Sequence, residues 1–312
     1  MGAMHMVAGD AANRLGVHAL VWVGGWSETE ARHAVERTAA AGFDLIEVPA
    51  LDPGSIDAEL TARLLEEHGL SVAVSLGLDD STDVASEDPD IVAAGRRRLD
   101  LALSLVRDVG GDYLGGVVYG KIGRYTHPVT ERARASSVET VSLLADRAKE
   151  SGITLGLEFC NRYETNVLNT TEQTLQFIAD TGRDNVVAHL DTYHMNIEEA
   201  SFSEPVRAAA AAGRLGYVHV GESHRGALGT GTVPWPEFFS ALREVGYAGT
   251  ITFESFSSAV VHPALSSTLA VWRDLWEDST QLATGAVAFL RQHLAEATSP
   301  QVAPGSSGDV AE

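Results

Sequence analysis

The sequence predicts an α/β protein in which eight parallel strands, each followed by a helix, close into a single barrel. Short runs rich in Val, Ile and Leu alternate with longer amphipathic stretches over most of the 312-residue chain. Parallel strands need long crossovers, and eight successive crossovers are typical of a closed sheet. A glycine repeatedly ends a helical stretch just before a strand begins, as in AGFDLIEV, HGLSVAVS, SGITLGLE and VGYAGTITFE.

The first four strand and helix units fill the first half of the chain. Gly42 and Gly69 follow helical stretches and suit their C-caps, because glycine readily adopts the left-handed conformation that ends many helices. Pro89 suits the first turn of a long third helix, where no N–H is needed. The predicted strands are 15–21, 43–48, 71–76 and 113–118, and the predicted helices are 27–41, 56–68, 89–109 and 130–151.

The last four units repeat this order. The predicted strands are 153–158, 186–190, 215–220 and 250–254, and the helices are 171–181, 203–212, 235–245 and a last one within 265–295. That last helix would include the segment WRDLW at 272–276. No glycine-rich nucleotide-binding pattern follows any of these strands, so no nucleotide cofactor is expected.

One domain, residues 15–296, accounts for all eight units, since α/β barrels commonly have this length. Residues 1–14 lack the basic start and apolar stretch of a signal peptide, so we expect a disordered leader. Residues 297–312 are rich in proline, glycine and serine, which predicts a disordered C-terminal tail.

The charge balance narrows the function classes. The chain carries 22 basic and 43 acidic side chains, and its net charge of -21 repels nucleic-acid phosphates and anionic membrane surfaces. Its single cysteine, Cys160, excludes an intramolecular disulfide, and the sequence has no apolar run long enough to span a membrane. We therefore expect a cytoplasmic protein with neither a nucleic-acid nor a membrane partner.

Four of the predicted strands end in residue types that bind metals. LGLE ends in Glu158, VVAHLD in Asp191 and TITFE in Glu254, while YVHV contains His219. The carboxyl ends of parallel strands share one edge of a barrel, which is where α/β enzymes keep their chemistry. A single acid there is usually a helix cap, but four such residues predict a metal site. Carboxylates with one imidazole and no thiolate favour Mn²⁺, Mg²⁺ or Co²⁺.

Longer motifs around these residues resemble one family. The segments LEFCNRYETNVLNT, HLDTYHMNIEE, YVHVGESHRG and FESFSS, together with GFDLIE and WRDLW, are similar to the ketose 3-epimerases, the D-tagatose 3-epimerase family that includes D-allulose and L-ribulose 3-epimerases. The similarity covers about residues 15–295. It implies a single (β/α)8 TIM barrel with a divalent metal, Mn²⁺ in first place and Co²⁺ or Mg²⁺ as alternatives.

The resemblance also implies residue roles. The metal ligands would be Glu158, Asp191, His219 and Glu254, the acid/base pair would be Glu158 and Glu254, and the substrate-binding residues would be Glu164, His194 and Arg225. The reaction would invert C3 of a free ketose through a cis-enediolate, in pairs such as D-fructose and D-allulose, D-tagatose and D-sorbose, or L-ribulose and L-xylulose. Family members are commonly oligomeric, so we expect a homodimer or homotetramer.

Two other activities use similar barrels. An aldose-ketose isomerase would move hydrogen between C1 and C2, and a metal-dependent DNA-repair phosphodiesterase would need more histidine ligands and a basic surface. The NRYE and GESHRG motifs favour the epimerase. Residue positions alone do not fix which carbon lies over the glutamates, and the fold by itself separates none of these activities.

Some residues near the strand ends have both a structural and a functional interpretation. Glu47 ends the second strand at the active edge. An acidic residue at such a position more often has a structural role than a contact with the site. Trp22 and Trp26 follow the first strand and suit either sugar stacking or core packing, whereas His189 within strand six favours a core position. We expect the loop 119–128 to form the pocket wall around the far end of the sugar.

Overall fold

A computed structural model describes residues 13–298 of the chain. Eight parallel strands pair in chain order, and the first pairs with the last, so that the sheet closes into one barrel. The strands are β1 (Leu15–His18), β2 (Leu45–Pro49), β3 (Ser71–Leu78), β4 (Tyr113–Lys121), β5 (Thr154–Glu158), β6 (Val186–Asp191), β7 (Leu215–Val220) and β8 (Thr250–Phe253). The predicted (β/α)8 TIM barrel is confirmed.

Helices follow the strands around the outside of the barrel. Those of the described residues are α1 (Glu28–Ala41), α2 (Ala58–His68), α3 (Pro89–Asp108), α4 (Glu131–Glu150), α5 (Thr171–Thr181), α6 (Thr192–Glu198), α7 (Ser203–Ala211), α8 (Trp235–Glu244), α9 (Pro263–Thr268) and α10 (Ser279–Thr298). The short helix α6 was not predicted; it begins directly after β6 and carries part of the candidate site.

Helix ends follow local signals in the sequence. At the start of α1, the Glu30 carboxylate accepts hydrogen bonds from the Ser27 N–H and hydroxyl, at 2.9 and 2.6 Å. Gly42 (φ 86°) ends α1 and Gly182 (φ 63°) ends α5 in the left-handed conformation, which residues with a Cβ rarely adopt. After these two glycines the next strand begins within a few residues, so the loop from helix to strand is short.

The predicted single last helix is wrong. α9 ends at Thr268 and α10 begins at Ser279, and WRDLW lies in the irregular segment between them. The break follows α9 directly, because the Val271 N–H donates to the Ser266 carbonyl at 2.9 Å and Ala270 has a positive φ of 54°. Trp272 in this segment is 71% exposed.

The first strand is also shorter than predicted. β1 ends at His18 and continues as a 3-10 turn over Ala19–Val21. The Trp22 and Val23 N–H groups both donate to the Ala19 carbonyl, at 2.8 and 3.1 Å, so the chain turns where an extended strand was expected.

Aromatic rings fill the barrel below its carboxyl edge. Tyr113 and Tyr217 stack with ring centroids 4.2 Å apart. Glycines make room for them: a Cβ at Gly156 would lie 1.7 Å from the Tyr113 hydroxyl. Side chains therefore pack the barrel interior beneath the site.

The chain ends lie largely outside the described residues. The predicted leader (1–14) falls there for residues 1–12, and the predicted tail (297–312) falls there from residue 299, so both stay predictions. The last two leader positions are described, and the Asn13 amide donates to the carbonyls of Tyr247 and Gly249 at 3.0 and 2.9 Å. Among the described residues, no helix is both long and apolar enough to cross a membrane.

Candidate active site

The barrel brings the four predicted ligand residues together at its carboxyl edge. Glu158 ends β5, Asp191 ends β6, His219 lies in β7 and Glu254 directly follows β8. One ligand atom from each lies within 4.8 Å of the others, and all four side chains are buried. The pairing of β6 with β7 sets Asp191 opposite His219, so the sheet itself fixes these two positions.

His219 presents a free ring nitrogen to this cluster. Its Nε2–H donates to Glu47 at 2.8 Å, which leaves Nδ1 unprotonated in the neutral ring. Nδ1 lies 3.5 Å from Glu158 Oε1 and 3.6 Å from Glu254 Oε1 and has no hydrogen-bond partner. A buried lone pair between two carboxylates is a position that a cation fits.

The same cluster concentrates negative charge. Burial raises the pKa of Glu158 to about 7 and that of Asp191 to about 6. Burial alone would lower the pKa of His219, but Glu47, Glu254 and Glu158 raise it well above its ordinary value. Without a cation the site therefore retains protons, which a divalent metal would replace. Three carboxylates and one imidazole suit Mn²⁺, Co²⁺ or Mg²⁺.

His194 lies beside the cluster as a neutral donor. Its Nδ1 accepts the Asn161 backbone N–H at 3.0 Å, so the ring proton lies on Nε2. Nε2 is 3.8 Å from Glu158 Oε1 and 3.5 Å from Asp191 Oδ2. Burial lowers the pKa of His194 well below its ordinary value, which keeps the imidazole neutral. The Asn161 amide also donates to Glu164 at 2.7 Å, which joins the two predicted substrate-binding residues.

Arg225 reaches the carboxylates from the loop after β7. Its Nη1 donates to Asp191 Oδ2 at 3.2 Å and also to Glu254. The guanidinium lies between two rings, with Cζ 3.8 Å from the Tyr193 centroid and 4.8 Å from that of Phe256. The backbone of Arg225 has a positive φ of 62°, a strained conformation that supports a functional role.

Known proteins share both the fold and the length of this chain. The family model of the xylose isomerase-like TIM barrel matches residues 35–292. An L-ribulose 3-epimerase of Methylomonas sp. is 51% identical over 277 residues, which cover 89% of this chain and 96% of that protein. A ketose 3-epimerase of Arthrobacter globiformis is 47% identical, over 90% of this chain and 96% of the relative. This chain belongs to the ketose 3-epimerase family.

Solved structures agree with this assignment. The crystal structure of a D-allulose 3-epimerase from Methylomonas sp. in complex with D-allulose has a TM-score of 0.88 and 50% identity, covering 91% of this chain and 98% of that one. As a ketose 3-epimerase, the protein is an enzyme of the isomerase class that acts on carbohydrates.

The epimerase has an inner cavity of about 100 Å³ over the four clustered residues. Its charged and polar lining residues include Glu158, Glu164, His194, His219, Arg225 and Glu254. The larger apolar residues that line it are Leu20, Leu51, Leu76, Ile122, Phe256, Leu265 and Leu269. An outer cavity of about 290 Å³ shares Glu164, Arg225, Phe256 and Leu269 with it and lies under the segment 269–275.

The cavity wall differs from the prediction in part. Trp22 and Trp26 pack into the helical layer, where their indole N–H groups donate to Thr38 and Thr61 at 3.0 Å, and neither lines the inner cavity. Of the predicted wall loop 119–128, Ile122 lines the inner cavity. The rest of the apolar wall comes from other strand ends and from α9.

Sequence reasoning assigned no role to several site residues. Leu265 and Leu269 belong to the broken last helix, whose position depends on long-range packing. Asn161 and Phe256 lie within the motifs NRYE and FESFSS. These motifs indicate the family, but they do not show which side chains the two residues contact. Cys160 also lines the cavity, but burial raises the pKa of its thiol well above the ordinary value, which makes it a poor metal ligand.

Proposed function

We propose that this protein inverts the configuration at C3 of free ketoses in a metal-dependent reaction, with Glu158 and Glu254 as its acid/base pair. The observation that carries the proposal is the cluster of Glu158, Asp191, His219 and Glu254, whose ligand atoms lie within 4.8 Å of one another; Glu158, His219 and Glu254 also line the inner cavity. The candidate substrates are D-fructose and D-allulose, D-tagatose and D-sorbose, and L-ribulose and L-xylulose. The relatives named for L-ribulose and D-allulose favour those two.

Glu158, Asp191, His219 and Glu254 would hold the metal. A divalent ion there, Mn²⁺ in first place, would act as a Lewis acid that makes the C3 hydrogen of the ketose more acidic. The unpartnered Nδ1 of His219 and the raised pKa values of Glu158 and Asp191 support this assignment.

The chain's own residues would move the proton. Inversion requires one group to remove the C3 proton from one face and a second to return a proton to the other face. Glu158 on β5 and Glu254 after β8 reach the cavity from different parts of the barrel rim. The neutral His194 and the cationic Arg225 would donate hydrogen bonds to the oxygens of the cis-enediolate.

The lining of the inner cavity favours a free sugar over a sugar phosphate. Arg225 is the one arginine or lysine among the described residues that line it. Its guanidinium is already paired with Asp191 and Glu254. A phosphate group in the inner cavity would meet the surrounding carboxylates, and no second arginine or lysine among the described lining residues is there to bind it.

Deuterium exchange tests the proposal. The protein is stripped with EDTA, reloaded with Mn²⁺ and incubated with L-ribulose or D-fructose in D₂O, and proton NMR identifies the carbon that gains deuterium. We expect metal-dependent exchange at C3 and formation of the C3 epimer. Exchange at C1 with an aldose product would instead establish the isomerase alternative, and the absence of exchange with every ketose would overturn the substrate class.

The remaining expectations from the sequence stay predictions. These are the homodimer or homotetramer, the cytoplasmic location, and the lack of nucleic-acid and membrane partners. The DNA-repair alternative gains no support from the site, because the four-ligand cluster contains one histidine.

A further inference from the structure

Glu47 is a fully buried carboxylate on the far side of the metal-site histidine. It lies on β2, across the barrel from β7, and it has 0% exposure. Its Oε2 accepts hydrogen bonds from the His219 Nε2–H and from the Tyr217 hydroxyl, both at 2.8 Å. Its Oε1 has no hydrogen-bond partner and lies 3.7 Å from Nε2 of His18.

Packing does not account for a carboxylate at this position. Burying an ionised carboxylate costs free energy unless charged or polar partners offset it. The partners of Glu47 are two imidazoles and a phenol, with no lysine or arginine among them. The carboxylate of Glu47 therefore acts on the imidazoles that it contacts, and its shortest contact with an imidazole is the 2.8 Å hydrogen bond to His219.

The carboxylate of Glu47 sets the protonation and the orientation of the His219 ring. A carboxylate on Nε2 holds the proton on that nitrogen, so the Nδ1 lone pair points at Glu158 and Glu254. The same hydrogen bond fixes the ring plane and increases the electron density on Nδ1, which strengthens it as a ligand. The second oxygen of Glu47 faces His18, which lines the inner cavity and hydrogen-bonds with Ser75 at 3.3 Å.

We propose that Glu47 is a positioning residue of the metal site: by accepting the Nε2–H of His219, it fixes the tautomer and ring plane in which Nδ1 binds the metal. This inference rests on the metal site of the proposed function. Glu47 contacts His219 but does not line the inner cavity, and its role would link β2 to the chemistry proposed for β5 to β8.

Titration of the stripped protein with Co²⁺ alone tests the inference without any substrate. The dissociation constant is measured by the visible absorption of bound Co²⁺, whose band shape also reports ligand geometry. Glu47→Gln keeps an acceptor but loses the charge, and Glu47→Leu loses both at a similar volume. We expect the Kd to rise about 10- to 100-fold in Glu47→Gln and at least as much in Glu47→Leu, with altered bands.

Tyr217→Phe provides the matched control. It removes another hydrogen bond to the same Glu47 oxygen, and a contact of 2.7 Å to Thr252, but leaves the His219 bond in place. We expect Co²⁺ affinity near that of the parent. Circular dichroism and the unfolding midpoint in EDTA establish that each variant is folded, and the increase in midpoint on adding Co²⁺ gives a second measure of affinity.

The outcomes separate this inference from the proposed function. If the parent binds Co²⁺ and folded Glu47 variants bind it equally tightly, the role of Glu47 is overturned while the metal site stands. If Tyr217→Phe weakens binding as much as Glu47→Gln, general disturbance of the buried network explains the effect and the inference also fails. If the parent binds neither Co²⁺ nor Mn²⁺, the metal site itself is wrong, and the inference falls with it.

Discussion

At the scale of single residues, Glu158 and Glu254 have different surroundings although both lie at strand ends. Glu158 faces two imidazoles, with His219 Nδ1 at 3.5 Å and His194 Nε2 at 3.8 Å, and its pKa is raised to about 7 by burial. Burial also acts to raise the pKa of Glu254, but Arg225 and His219 hold it below its ordinary value. Environments that separate two carboxyl pKa values are typical of acid/base pairs.

We expect Glu158→Gln and Glu254→Gln to lower epimerisation by about 10²- to 10⁴-fold, since each removes one of the two proposed proton-transfer groups. Each variant should still exchange the C3 hydrogen of one epimer in D₂O, because the remaining glutamate serves one face. The two variants should therefore favour opposite epimers. NMR exchange rates with both epimers, at measured metal content, check this; loss of both exchanges at full metal occupancy would contradict it.

At the scale of elements, local signals predict most strands and helices, and they fail where distant contacts decide. Single glycines end α1 at Gly42 and α5 at Gly182. The sequence predicts the first of these helix ends, and the second has the same local explanation. The break after α9 is different, because Leu265 and Leu269 pack against the cluster of Leu20 and Phe256 from other parts of the barrel rim. No periodicity within 265–295 contains that information.

The loop after β7 depends on one buried carboxylate. Glu222 accepts hydrogen bonds from the N–H groups of Ser223, Val233 and Gly229 and from the Trp235 indole, at 2.8 to 3.2 Å. Its own carbonyl accepts the Arg225 N–H at 2.8 Å. Glu222 therefore holds the loop in the shape that presents Arg225 to the site.

We expect Glu222→Ala to destabilise the fold by about 1–3 kcal/mol, because buried donors are left unpaired. We also expect kcat/KM to fall by about 10²-fold through a displaced Arg225. Urea unfolding and steady-state kinetics measure the two effects. Glu237→Ala is the control, since Glu237 accepts the N–H groups of Phe202 and Ser203 at 3.0 and 2.9 Å outside the site. It should lose stability and keep its kcat/KM; an unchanged kcat/KM in folded Glu222→Ala would contradict the prediction.

Two helical glycines allow packing to be separated from helix propensity. A Cβ at Gly95 in α3 would lie 2.2 Å from the Thr82 carbonyl oxygen and 2.7 Å from a Val84 methyl group. A Cβ at Gly285 in α10 would meet nothing within 4 Å. We expect Gly285→Ala to stabilise the protein by up to about 1 kcal/mol. Gly95→Ala should destabilise it by about 1–3 kcal/mol, because the overpacking outweighs the same gain in propensity. Urea midpoints in the same buffer compare them, and equal shifts would refute the packing argument.

At the scale of the whole molecule, the barrel topology made most of the site predictable. Parallel strands end at one edge, so residues at the ends of β5 to β8 had to lie close together, although up to 96 positions separate Glu158 from Glu254. The sequence does not single out Glu47, because its contact with His219 crosses the barrel interior between β2 and β7. Strand-end position predicts which edge a residue reaches, but which side chains meet across the interior depends on packing that sequence patterns do not express.

Metal and pH should act on the stability of the whole barrel through the same carboxyl groups. In the metal-free protein the pKa of Glu158 is raised from 4.5 to about 7 and that of Asp191 from 3.8 to about 6. The folded state then holds protons that the unfolded chain releases, so these groups contribute stability at acid pH that is lost as the pH rises through 6 to 7. A bound cation needs both groups ionised and offsets that loss.

We expect Mn²⁺ or Co²⁺ at 100 times its Kd to stabilise the protein by about 2.7 kcal/mol, with the Kd itself falling as the pH rises. At a fixed metal concentration, the difference in unfolding midpoint between metal-loaded and EDTA-treated protein should therefore widen from pH 5 to pH 8. A difference that is constant or narrows over this range would show that these carboxyl groups are not the metal ligands.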